Sequence, residues 1–101
     1  MSVTVTVRFP VSDVEKAIEG LDNNAAALKG ISQRAQGIGA MHHRFVAGDD
    51  ELLVIDEWES AEQFQSFFDS NPQIADIMTS IGMSGPPSVS VYRAINAAGT
   101  F

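Results

Sequence analysis

The sequence predicts an α+β domain in which an antiparallel sheet carries helices on one face, and three observations predict it. Residues 3–9 read Val, Thr, Val, Thr, Val, Arg, Phe, a strict apolar–polar alternation that marks a half-buried strand. Residues 41–47 and 52–58 flank Gly48-Asp49-Asp50, a tight turn, and so form a hairpin. Between and after these segments, apolar residues recur at spacings of three and four, the period of helices that bury one stripe.

Taken in order, the first strand ends at Pro10. Ser12 followed by Glu15 has the spacing of a capping box, in which a serine hydroxyl and a glutamate satisfy orphan amides at a helix start. The stripe Val14, Ala17, Ile18, Leu21, Ala25, Leu28, Ile31 then continues to Gly37 and Gly39. Gly20, Gly30 and Asp22-Asn23-Asn24 weaken that helix and admit a kink or a break. After the hairpin, Ser60 and Gln63 repeat the capping box ahead of Ala61, Phe64, Phe67 and Phe68. Asn71-Pro72 restarts a helix on Ile74, Ile77, Met78 and Ile81, with asparagine as cap and proline at the first helical position. Gly82, Gly85, Pro86 and Pro87 close it, and Val89, Val91 and Tyr92 form a last strand. The order strand, helix, strand, strand, helix, strand is the split βαβ, or ferredoxin-like, arrangement. One domain over residues 1–95 and a loose C-terminal tail over 96–101 are expected.

Leu52, Leu53, Val54 and Ile55 are apolar on both faces of their strand, although a sheet covered on one side should be polar on the other. A second copy of the sheet, related by a two-fold axis, is the simplest cover, so a homodimer is expected.

Composition narrows the function classes. With 13 acidic and 6 basic residues the formal charge is -7, which repels phosphate backbones and anionic lipid, so neither nucleic acid nor membrane is an expected partner. There is no cysteine, which removes disulfides, thiolate nucleophiles and cysteine-ligated metal. The opening residues lack a basic segment followed by an apolar one, and no apolar run is long enough to span a bilayer. A cytoplasmic protein is expected. No phosphate loop, GxGxxG, GxSxG or HExxH occurs, and neither a metal site nor a cofactor is expected.

His42 and His43 are adjacent, so on a strand they point to opposite faces and cannot chelate one ion together. A turn of two or four residues puts Ala47 opposite Leu52, Phe45 opposite Val54, His43 opposite Asp56 and Met41 opposite Trp58; a three-residue turn breaks this register. In the first register His43, Asp56 and Trp58 share a face, and the carboxylate holds the imidazole in one tautomer, the outline of a general base. An ordinary cross-strand pair at the sheet margin explains the same residues. Trp58, the only tryptophan, ends its strand where side chains line pocket rims, or else plugs the junction of sheet and helix. Phe64, Phe67, Phe68, Met78 and Met83 are most simply core, although such walls also suit a flat apolar ligand. Phe45, Phe64, Phe68 and Met78 are the candidate substrate-binding residues.

The stretch Val54-Ile55-Asp56-Glu57-Trp58-Glu59-Ser60-Ala61-Glu62-Gln63-Phe64 resembles the antibiotic-biosynthesis-monooxygenase family of dimeric α+β barrel proteins. In that family a strand ends in tryptophan and a serine-capped acidic turn leads into a helix with a phenylalanine. The order of elements matches from Val3 to Ile95. The resemblance implies two subunits packed into a barrel, each with a pocket between sheet and helices. Some members oxidise aromatic polyketides with dioxygen and no cofactor, some degrade haem, and many have no known activity. Of the haem-degrading set, an asparagine on the first strand, the tryptophan and a histidine on the second helix, only Trp58 is present, so haem would lack its axial imidazole.

The function expected is a cofactor-independent monooxygenase acting on a hydroxylated aromatic, with His43, Asp56 and Trp58 catalytic. The alternative is a non-catalytic domain that binds a small apolar or aromatic molecule or serves only to dimerise.

Overall fold

A computed structural model describes residues 2–101. Its elements are β1 (Val3–Pro10), α1 (Val14–Asn23), α2 (Ala25–Gln36), β2 (Ala40–Ala47), β3 (Glu51–Trp58), α3 (Ala61–Ser70), α4 (Gln73–Ser80) and β4 (Ser88–Arg93). The strands form one antiparallel sheet in the order β2-β3-β1-β4, the ferredoxin-like α+β fold. Among the described residues no helix is long and apolar enough to cross a membrane.

Alternation does what the sequence predicts of it. Val5, Val7 and Phe9 of β1 and Leu52, Val54 and Trp58 of β3 are buried together with Ala17, Ile31, Phe64, Phe67 and Met78 from the helices. The intervening Leu53 and Ile55, with Thr4 and Thr6 beside them, lie on the other face and are half-buried. The apolar character of both faces of β3 is therefore real. On β4, Val89 and Val91 stand opposite Val7 and Val5 but are 38% and 46% exposed, so the helical layer stops short of that edge.

The long first helix breaks as Gly20 and Asp22-Asn23-Asn24 allow. Asn24 leaves the helical conformation with φ -107° and ψ 20°, its side-chain amide donates to the Gly20 carbonyl at 2.8 Å, and α2 starts at the next residue. Gly20 also has a packing reason: a Cβ there would lie 2.5 Å from Cγ2 of Ile81, so only glycine lets α1 approach the end of α4. Gly39, at φ +122°, turns the chain from α2 into β2 with the Gln63 amide lying against its Cα.

Three local expectations are corrected. Ser12 does not cap α1. Asp13 does, accepting from the Lys16 amide at 3.2 Å, because β1 runs on through Pro10 and Val11 bridges Met83, which draws Ser12 towards Gly82. The Asn71 side chain does not cap α4 either. It donates to the Phe67 carbonyl at 2.8 Å and closes α3, which leaves Pro72 at the N-cap position without a side-chain cap. Met41 is not opposite Trp58. Ala40 is, and Met41 is the extra residue of a bulge between Ala40 and His42. The Ser60 cap does form, its hydroxyl oxygen accepting from the Gln63 amide at 3.2 Å. The hydroxyl itself donates to Gln63 Oε1 at 3.0 Å, so the glutamine side chain answers the serine hydroxyl rather than its amide.

Gly20→Ala tests the helix crossing. Alanine gains about 1 kcal/mol in helix propensity, whereas overpacking against a buried side chain costs about 1–3 kcal/mol. With Ile81 only 8% exposed and unable to swing away, the crowding wins, and the urea midpoint of Gly20→Ala falls below that of the wild-type protein.

Candidate functional site

β2 and β3 supply the floor of the site and the helices its walls. Ala47 pairs with Leu52, Phe45 with Val54 and His43 with Asp56, the register of an even-numbered turn. Gly48 N–H donates to the Glu51 carbonyl at 2.9 Å to close it. Since opposite residues of an antiparallel pair share a face, this register delivers His43 and Phe45 to the helical side beside Asp56, Val54 and Trp58. His42 goes to the other side and meets Glu57 at 3.6 Å.

Asp56 is the buried charged residue of the core, 8% exposed. Its two oxygens have separate partners: Trp58 Nε1–H donates to Oδ2 at 3.0 Å, and Oδ1 lies 2.7 Å from His43 Nδ1. Indole nitrogen can only donate, so Oδ2 must accept. With Asp56 ionised, Oδ1 accepts as well, which places a proton on His43 Nδ1 and leaves Nε2 with its lone pair free. The tautomer is thus assigned from the network. Trp58 is itself 1% exposed and held by edge contacts to Phe64, 5.7 Å between centroids, and a tilted contact to Phe67 at 5.5 Å. Phe45 stands edge-on to the His43 ring at 5.2 Å. Each ring fixes the next, so imidazole, carboxylate and indole form one oriented chain.

A cavity of about 200 Å³ opens beside this chain. His43, Asp56 and Trp58 line it, as do Phe45, Phe64, Phe68 and Met78, with Phe64 stacked on Phe68 at 5.5 Å. All seven residues singled out in the sequence therefore meet at one cavity. Met83 packs against the core instead. Among the cavity residues, Ser32 and Gln36 on α2 escape a reading of the sequence, Met41, expected opposite Trp58, reaches the cavity from the bulge, and His42 borders it although its strand face is the other one. Ser32 and Gln36 are four apart on a helix whose stripe is Leu28, Ile31 and Ala35, and a polar pair flanking an apolar stripe is the signal that could have found them. Nothing in the sequence marks the bulge.

No protein-family model matches the chain, and comparison with curated proteins finds no match either. Solved structures do match. The monooxygenase from the gene ActVA-Orf6 of Streptomyces coelicolor, in complex with nanaomycin D, superposes with a TM-score of 0.72 at 19% identity, over 99% of this chain and 93% of that one. SnoaB, a cofactor-independent oxygenase from Streptomyces nogalater, gives 0.65 at 16% identity over 98% of each chain. A dimeric ferredoxin-like protein from an uncultured marine organism gives 0.69 at 8% identity, over 95% and 90%.

The chain has the antibiotic-biosynthesis-monooxygenase fold. At these identities the likeness carries the fold and not the chemistry, which has to be argued from the cavity. The cavity that His43, Asp56 and Trp58 share lies between sheet and helices.

Asp56→Asn tests the hydrogen-bond chain. Trp58 still needs an acceptor and takes the amide oxygen, which turns the NH2 group towards His43 and obliges Nδ1 to accept. In ¹⁵N-detected spectra His43 is expected as the Nδ1–H tautomer in the wild-type protein and as Nε2–H in the variant. The same tautomer in both proteins would contradict the assignment.

Proposed function

We propose that the chain is a cofactor-independent monooxygenase of hydroxylated aromatic small molecules, with the substrate in the cavity beside His43. The observation that supports this reading above others is the Trp58–Asp56–His43 chain, 3.0 Å and 2.7 Å long, ending in a basic nitrogen at an apolar cavity. Orienting one nitrogen of a histidine with a buried carboxylate is how a general base is prepared. The aromatic walls suit a flat ring.

His43 Nε2 takes the phenolic proton, and the phenolate becomes electron-rich enough to give an electron to dioxygen. Recombination forms a C–O bond at the ring carbon para to the phenolate oxygen. The resulting peroxide takes the proton back from His43. Loss of the hydrogen on that carbon then breaks the O–O bond, leaving a quinone and water. For phenol itself, one phenol and one dioxygen become one para-benzoquinone and one water. The substrate supplies all four electrons, so no external reductant enters. Asp56 holds the imidazolium formed in the first step, and Trp58 keeps Asp56 in place as a positioning residue.

A homodimer joined through the open sheet face belongs to the same proposal. Leu53 and Ile55 are half-buried there with no helix over them, and the likeness to a dimeric ferredoxin-like protein supports it. A single domain over residues 1–95 with a loose tail over 96–101 also belongs to it; residues 96–101 carry no helix or strand, and Phe101 is fully exposed.

Oxygen uptake with naphthols tests the chemistry. His43→Ala is expected to lower the rate about 10²- to 10⁴-fold, the usual worth of a general base, with the circular dichroism unchanged. Naphthol binding without oxygen uptake above the uncatalysed rate would instead select the non-catalytic binding domain. For the assembly, sedimentation of wild-type protein should report a dimer and Ile55→Lys a monomer; a wild-type monomer at micromolar concentration removes the dimer.

A further inference from the structure

We propose that Met41 is an oxidation site at the mouth of the cavity, and that conversion of its thioether to the sulfoxide by a hydroperoxide draws the side chain off the cavity wall and weakens the hold on an aromatic ligand. The modification goes beyond the proposed function; its effect on binding rests on the cavity holding an aromatic.

Position singles out this methionine. There is no cysteine, so thioethers are the chain's only oxidisable sulfur. Of the methionines among the described residues, Met78 is buried and Met83 half-buried against the core, whereas Met41 is 50% exposed. Susceptibility to oxidation follows exposure. Met41 is also the extra residue of the bulge, with Ala40 in its place opposite Trp58, so no cross-strand partner on β3 holds its side chain. It lines the cavity together with His43 and Trp58, and it borders the shallower groove formed with Gln36, Glu59 and Gln63. A side chain at the seam between an apolar cavity and a polar groove has two places to lie.

Oxidation decides between them. The sulfur lone pair attacks the outer oxygen of the peroxide, and an S–O bond forms as the O–O bond breaks. The departing oxygen takes the proton and leaves as water, or as an alcohol from an organic hydroperoxide. Sulfur gives up two electrons and the peroxide gains them. The thioether is apolar and packs well on aromatic rings, whereas the sulfoxide is polar and costs free energy wherever it is taken from water without a hydrogen-bond donor. The groove is open to water at Gln36 and Glu59, and the Gln36 and Gln63 carboxamides there carry NH2 donors. The oxidised side chain therefore turns to the groove, and the mouth of the cavity loses the thioether that would lie against a ligand ring.

Limited treatment with hydrogen peroxide followed by peptide mass spectrometry reads the site. The peptide bearing Met41 is expected to gain one oxygen before those bearing Met78 and Met83. Anaerobic calorimetric titration with 1-naphthol reads the effect: oxidised wild-type protein is expected to bind up to about tenfold more weakly than untreated protein, the worth of a thioether–aromatic contact. Methionine sulfoxide reductases are expected to restore the affinity. Met41→Leu, which keeps the volume and removes the sulfur, is expected to lose nothing under the same treatment. Oxidation of Met78 or Met83 as early as Met41, an affinity unchanged by oxidation, or an equal loss in Met41→Leu overturns the proposal. Untreated protein that binds no 1-naphthol removes the proposed substrate class and the binding effect together, and the order of oxidation then upholds or overturns the site by itself.

Discussion

A carboxylate placed under a layer of helices is the constraint that organises this molecule. Asp56 occupies a position of β3 where its neighbours on the same face are Val54 and Trp58, and an unpartnered charge there would cost far more than the fold could offset. Two donors remove that penalty, and each dictates something further. Trp58 must bring its indole nitrogen back towards its own strand, which requires Phe64 and Phe67 to hold the ring from α3. His43 must lie directly opposite, which requires the β2–β3 register. The cavity is the space left when these demands are met.

What the sequence discloses follows from how local each cause is. Strands with period-two patterning were legible because alternation is a property of adjacent residues, whereas the pairing of His43 with Asp56 stayed open in the sequence, since it depends on whether the turn holds an even or an odd number of residues. The Ser60 cap was legible for the same reason as the strands. Caps that depend on a distant contact were not: Val11 bridges Met83 and Ser12 turns to Gly82, which leaves the cap of α1 to Asp13. Asn71 offers a cap to either of two helices, and only the packed ends of α3 and α4 decide that it serves α3. The bulge at Met41 arises from fitting β2 against the end of β3 and has no sequence mark.

Gly20 and the pair Ser32 and Gln36 illustrate the same boundary from the functional side. Read along the chain, Gly20 is a weak point in a helix; in three dimensions it is the contact that lets α1 cross the end of α4. Ser32 and Gln36 look like the polar margin of a buried stripe. Only the position of α2 over the sheet turns that margin into cavity wall. The uncovered β4 edge is the counterpart: the helices cover β1 and β3 most deeply and leave Val89 and Val91 exposed at that end of the sheet.

The even count of the β2–β3 turn has a consequence for how this gene can change. Surface turns ordinarily absorb an inserted or deleted residue at little cost. Here the loss or gain of a single codon between Gly48 and Glu51 would slide β2 by one residue, and a one-residue slip exchanges the faces of a strand. His42, Arg44 and Val46 would go under the helices while His43 and Phe45 turned away from them, leaving Asp56 without its imidazole. Point substitutions at Asp49 or Asp50, both exposed, leave that parity untouched. Across descendants of this sequence the turn is therefore free in composition and fixed in parity.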